Sequence, residues 1–230
     1  VKFAIKLFIT PIKFATPNRE LKMEKNSKIF PLELSKAKKD FVVYENGNGN
    51  KKALIIHGWN GRGTQLASLA KELIDLDYTV ISFDAPGYGK SSKNTAVMTE
   101  FMEAAFVLER YYKEFDLVIG HSLGAMTTIN ILSRDFKAKK AVIIGCGDEI
   151  TNIIKDFLKS IGLKEKIAPK LKTEFEKIYK LSINDYTVHE QVKKVDIPLF
   201  IIHDKNDLDV PYTASETIHE NAKNSKLLLT

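Results

Sequence analysis

The sequence predicts an α/β fold: a mostly parallel central sheet with helices on both faces. Two observations carry this. Short β-branched apolar runs alternate with segments whose apolar residues recur at helical spacing. The runs are continuously apolar rather than alternating, as strands are when covered on both sides.

At 230 residues, with 44% hydrophobic and 28% charged residues, the chain suits one ordinary globular domain with a full core. The single cysteine, Cys146, excludes an intrachain disulfide framework and, within its apolar run, reads as a buried structural thiol. A reducing, cytoplasmic location is the corresponding expectation.

The net charge of +6 is unevenly placed. Residues 1–40 hold ten Lys/Arg against four Asp/Glu, whereas residues 41–230 hold 25 of each sign. The body therefore has no net field to steer an anionic partner, and nucleic-acid binding is not expected. Residues 1–40 read as a basic, loosely packed arm. Its start is apolar but broken by Lys2 and Lys6, with Pro11 and Lys13 following, unlike a signal peptide. No stretch approaches the roughly 20 apolar residues that span a bilayer.

Strand-like runs fall at 41–44, 53–56, 79–83, 117–119, 141–144, 199–202 and 227–229. Helix-period segments fall at about 64–75, 97–113, 123–134 and 212–222. The turn-rich Glu45-Asn46-Gly47-Asn48-Gly49-Asn50 reads as a hairpin connection between the first two runs. From about 148 to 196 no good strand appears, while Ile153, Phe157, Ile161, Leu171, Phe175 and Ile178 keep helical spacing. This reads as a small helical cap after the sixth strand, over the carboxyl ends where ligands bind in such sheets. Helices packed on the sheet flank are the alternative.

Three motifs sit where strands end. The run into Gly120-His121-Ser122-Leu123-Gly124, with a helix former after it, is a strand turning sharply into a helix. Such a turn forces its central residue to positive φ and lifts the Ser122 hydroxyl above the sheet. The new helix's N-terminus favours developing negative charge. A helix-capping serine is the plainer reading, but flanking glycines add nothing to a cap. The second motif, Leu54-Ile55-Ile56-His57-Gly58-Trp59-Asn60-Gly61, brings backbone N–H groups to the same edge. Those of Trp59 and Leu123 pair as an oxyanion site, with His57 holding the loop. The third, Phe83-Asp84-Ala85-Pro86-Gly87-Tyr88-Gly89, lacks the spacing of a phosphate loop.

Together with Ile197-Pro198-Leu199-Phe200-Ile201-Ile202-His203-Asp204-Lys205-Asn206-Asp207, these motifs resemble the α/β-hydrolase family from about residue 40 onward. The resemblance implies Ser122 as nucleophile, amides of Trp59 and Leu123 for the oxyanion, and an acid after the seventh strand. Asp207, followed by Val210-Pro211, fits that acid best; Asp148 is the runner-up, and Asp204 and Asp209 read as loop carboxylates. The implied order places a histidine base beyond the last strand. His189, His203 and His219 fit poorly, so the base is expected after Thr230, with the C-terminal end truncated.

The resulting expectation is a serine hydrolase, esterase-like, acting on a small acyl substrate without metal or cofactor. An acyltransferase, or a non-catalytic binding protein lacking a complete triad, remain the alternatives. The sequence carries no reading of oligomeric state.

Overall fold

In the computed structural model, which describes residues 1–12 and 14–230, the chain forms one eight-stranded sheet with helices on both faces. The strands are β1 (Lys28–Leu34), β2 (Lys39–Asn46), β3 (Lys51–Ile56), β4 (Tyr78–Asp84), β5 (Leu117–His121), β6 (Ala141–Ile144), β7 (Leu199–His203) and β8 (Ser225–Leu229). Their spatial order is β1-β2-β4-β3-β5-β6-β7-β8. From β4 to β8 every neighbouring pair is parallel, and β2 is antiparallel to both β1 and β4. The buried faces of β3, β4 and β5 explain their unbroken apolar runs.

The hairpin expected across 45–50 does not form. β4 lies between β2 and β3, pairing Val42 with Asp84 on one side and Lys51 with Tyr78 on the other. The glycines serve a close crossing instead. A Cβ on Gly49 would lie 2.2 Å from the backbone carbon of Asp77, and Gly47 takes φ +86°.

The loosely packed arm is also corrected. Residues 1–40 supply α1 (Lys2–Phe8), α2 (Asn18–Asn26) and β1. Ala4, Ile5, Ile9, Met23 and Leu34 are buried. Lys13, part of that arm, lies outside the described residues. The physical reason is burial on one side only: α1 hides Ala4 and Ile5 while Lys2 and Lys6 stay in water, so a basic composition conceals a packed face.

The helices that cover the sheet are α3 (Ala67–Asp75), α4 (Met98–Tyr112), α5 (Leu123–Leu132) and α9 (Thr213–Asn221). Every residue of α5 from Gly124 onward is buried, which fixes its N-terminus rigidly against the sheet. Between β6 and β7 lie α6 (Ile150–Ser160), α7 (Ala168–Tyr179) and α8 (Val188–Val192). Ile154, Leu158, Leu171 and Phe175 from α6 and α7 form a cluster with Ala4, Ile5 and Ile9, separate from the main core. Val188 and Val192 of α8 return to the main core. Among the described residues no helix is long and apolar enough to cross a membrane.

Candidate active site

Ser122 sits between β5 and α5 with φ 53° and ψ −117°, a conformation rare for any side-chain-bearing residue. Its amide donates to the Ile144 carbonyl at 2.9 Å, tying the turn to β6. Its hydroxyl makes no capping bond to α5, so the plain capping role is not what this serine performs. The turn closes because its glycines admit backbone: a Cβ on Gly120 would lie 2.3 Å from the Gly124 carbonyl oxygen. One on Gly124 would lie 2.1 Å from that of Ile56.

The loop after β3 reaches the same point. A Cβ on Gly58 would meet His121 Nδ1 at 3.0 Å and Ser122 Cβ at 3.1 Å. The neighbouring Trp59 N–H has no acceptor among the described residues. Leu123, as the first residue of α5, carries an N–H that no intrahelical carbonyl can accept. Two amides thus flank the serine with their donors unspent.

Around this pair the scaffold is tied with polar groups. His57 is wholly buried; Nδ1–H donates to the Gly58 carbonyl at 2.8 Å and Nε2 accepts from Ala85 N–H at 3.1 Å. Burial pushes its pKa down to about 4, so the imidazole is neutral and has no site left for a substrate proton. Asp84 accepts from Gly63 N–H, Lys90 N–H and the Tyr44 hydroxyl at 2.7, 2.7 and 2.8 Å. Burial raises its carboxyl pKa, and those hydrogen bonds oppose the rise. Gly89, φ +43°, is needed there because a Cβ would lie 2.2 Å from Asp84 Oδ2.

Asp207 lies on the loop after β7. Its Oδ1 accepts from the N–H groups of Asp209 and Val210, both at 2.9 Å, while a Cβ on Gly145 would lie 3.5 Å from Oδ2. This carboxylate therefore stands at the end of β6, next to the strand that leads to Ser122. Asp204 and Asp209 are exposed, and Asp204 Oδ1 caps Asn206 N–H. The chain has five histidines, and none hydrogen-bonds to Ser122. His203 Nε2–H donates to the Val210 carbonyl and Nδ1 accepts from Ser215; His219 Nδ1 pairs with Ser225 on the flank.

Three relationships were not read from the sequence. His189 Nδ1 lies 2.6 Å from Asp148 Oδ2, and with Glu149 these groups bring ligand-type atoms within 4.8 Å of one another. His121, beside the serine, has a buried Nδ1 with no partner among the described residues; burial lowers its pKa and nearby Asp207 opposes that. Phe8 of α1 stacks on Trp59 and touches Phe157 and Phe175 of α6 and α7, so α1, the loop after β3 and the inserted helices meet. The Gly-His-Ser tripeptide signalled His121; nothing local signalled Phe8.

Residues 53–172, a little over half the chain, match the model of the alpha/beta hydrolase family. The chain belongs to this family. Its motifs at 57–61, 83–89 and 120–124 all fall inside the matched stretch.

Among solved structures, an esterase of Pyrococcus furiosus is similar with TM-score 0.73 and 17% identity, over 96% of this chain and 89% of that one. An esterase of Exiguobacterium antarcticum is similar with TM-score 0.66 and 17% identity, over 86% and 89%. At these identities the likeness is one of fold. A curated protein of Cupriavidus necator is 29% identical over 136 residues, 54% of this chain. It is the dihydrolipoyllysine-residue acetyltransferase component of an acetoin cleaving system. The chain spans about a third of the length of that relative, 34%.

Proposed function

We propose that this alpha/beta hydrolase cleaves a small carboxylic ester or related acyl substrate through an acyl-enzyme on Ser122. The observation that carries the reading is the positive-φ serine with two unspent amides beside it. Ser122 Oγ attacks the substrate carbonyl, and the Trp59 and Leu123 N–H groups receive the oxyanion that forms. The base takes the Ser122 hydroxyl proton and passes it to the departing alkoxide as the C–O bond breaks. Water then gives a proton to the same base, attacks the acyl-enzyme and releases the carboxylic acid, the proton going back to Ser122 Oγ.

Asp207 is the proposed acid, orienting a histidine base. Its Oδ2 at the end of β6 accepts no hydrogen bond among the described residues, with His203 Nε2 3.7 Å away, which supports this assignment over Asp148, whose Oδ2 is engaged by His189. Thr230 N–H donates to the His203 carbonyl and Lys205 N–H donates to that of Thr230, so the end of β8 is bound to the loop bearing Asp207.

The test compares two acids in the full natural chain hydrolysing short p-nitrophenyl esters. Asp207→Asn is expected to lower kcat by roughly 10²–10⁴, and Asp148→Asn by less than about threefold. A loss at Asp148 with none at Asp207 contradicts the assignment.

A second reading is favoured by the name of the Cupriavidus relative: transfer of the acyl group to an acceptor other than water. It uses the same acyl-enzyme. Added thiol or amine acceptors diverting most of the acyl group from the free acid would support transfer over hydrolysis.

A further inference from the structure

The outer face of α1, with Ile12 and Phe14 beyond it, exposes large apolar side chains, Phe14 being covered on one side by the Arg62 guanidinium at 4.8 Å. Phe3 is 75% exposed, Ile12 69%, Phe14 53% and Leu7 39%. Phe3 and Leu7 are four residues apart and share one side of the helix. This is not the disorder of a free tail. The inner side is held by buried Ala4, Ile5 and Ile9 and by Phe8 among Trp59, Phe157 and Phe175. The backbone is pinned twice: Ala96 N–H donates to the Ile9 carbonyl, and Ile12 N–H to Asn60 Oδ1. Large apolar groups are thus presented to solvent from a fixed platform, a costly arrangement that marks a contact surface.

The charge around the platform is net positive. The first 19 residues contain three lysines and one arginine and no acidic residue. Residues 150–180, which hold the α6 and α7 against which α1 packs, contain eight lysines and four acidic residues. Ile161 and Leu163, 38% and 40% exposed, add apolar surface there. A second copy of the chain meeting this face about a two-fold axis would bring like charges together.

We propose that the outer face of α1, with Ile12 and Phe14, docks on an anionic lipid surface. Phe3, Leu7, Ile12 and Phe14 enter the boundary between headgroups and acyl chains, and Lys2 and Lys6 meet lipid phosphates. The attachment is peripheral. Because Phe8 on the inner side of the same helix stacks on Trp59, docking holds the Gly58–Trp59 loop about one helix diameter, roughly 10 Å, from the lipid. This inference does not depend on Ser122 being a nucleophile.

The experiment measures partitioning of the full natural chain onto vesicles of phosphatidylcholine. It is repeated on vesicles in which roughly a third of the lipid is phosphatidylglycerol. Binding to the anionic vesicles is expected to be at least about tenfold tighter and to weaken with added salt. The double variant Phe3→Ser/Ile12→Ser is expected to lose at least about tenfold in partitioning. Its unfolding midpoint should be unchanged, since both side chains are largely exposed. Equal binding to the two vesicle types, or wild-type binding by the double variant, overturns the proposal. So does self-association that the double variant abolishes in a protein that binds no vesicles.

Discussion

Phe8 lies stacked on Trp59, ring centroids 5.9 Å apart and planes 25° apart. This contact joins the first helix of the chain to the loop that follows β3, and the same phenyl ring touches Phe157 at 5.1 Å. One side chain therefore couples three segments distant in sequence.

Phe8→Ala removes the ring from that junction. The ring is partly exposed, so the cost is below that of a fully buried phenylalanine, about 2–3 kcal/mol. Trp59 is the sole tryptophan, and its emission reports the change directly. Urea unfolding followed by that emission is expected to show a lower midpoint and an altered folded-state spectrum. An unchanged folded-state spectrum would mean that Phe8 does not rest on Trp59.

The buried His57 makes stability depend on pH. Its folded pKa of about 4 lies below its ordinary value of 6.5, so the unfolded chain binds more protons between those values. The stabilisation from this group is complete above pH 6.5 and is lost as pH falls towards 4, in total about 3 kcal/mol. An NMR titration of the folded protein is expected to find the His57 imidazole neutral at pH 5. Protonation with a midpoint near the ordinary value contradicts the hydrogen-bonding assigned to it.

The serine turn stores strain that substitution should reveal. Ser122→Gly is expected to raise stability by about 1 kcal/mol, because glycine adopts positive φ without penalty. Gly124→Ala forces a methyl against the Ile56 carbonyl oxygen, 2.1 Å from an ideal Cβ, and is expected to destabilise by about 3 kcal/mol or more. Thermal unfolding of both variants checks the pair. Destabilisation by Ser122→Gly would show that the observed φ carries no strain.

The turn was legible from sequence because its determinants are local. An apolar strand, a glycine two residues on either side of Ser122 and a helix former after it leave one solution. The parallel sheet was legible for the same reason, each strand announcing its own burial. What escaped depends on distant partners. The Asn-Gly repeat at 46–50 has the composition of a tight hairpin, yet it carries the chain past β4. β1 was missed because it holds Pro31 and buries only Leu34, as an edge strand does. The packing of α1 was hidden by its lysines. Which carboxylate a histidine engages is likewise tertiary, and Asp148 with His189 shows it: 41 residues separate them in the chain.

The central claim is that Ser122 is an activated nucleophile, and covalent labelling tests it most directly. The full natural chain, treated with a fluorophosphonate probe and digested, is expected to carry the phosphonyl group on the Ser122 peptide alone. Ser122→Ala should fold normally and take up no label. Labelling of both proteins to the same extent, or of neither, would contradict the account.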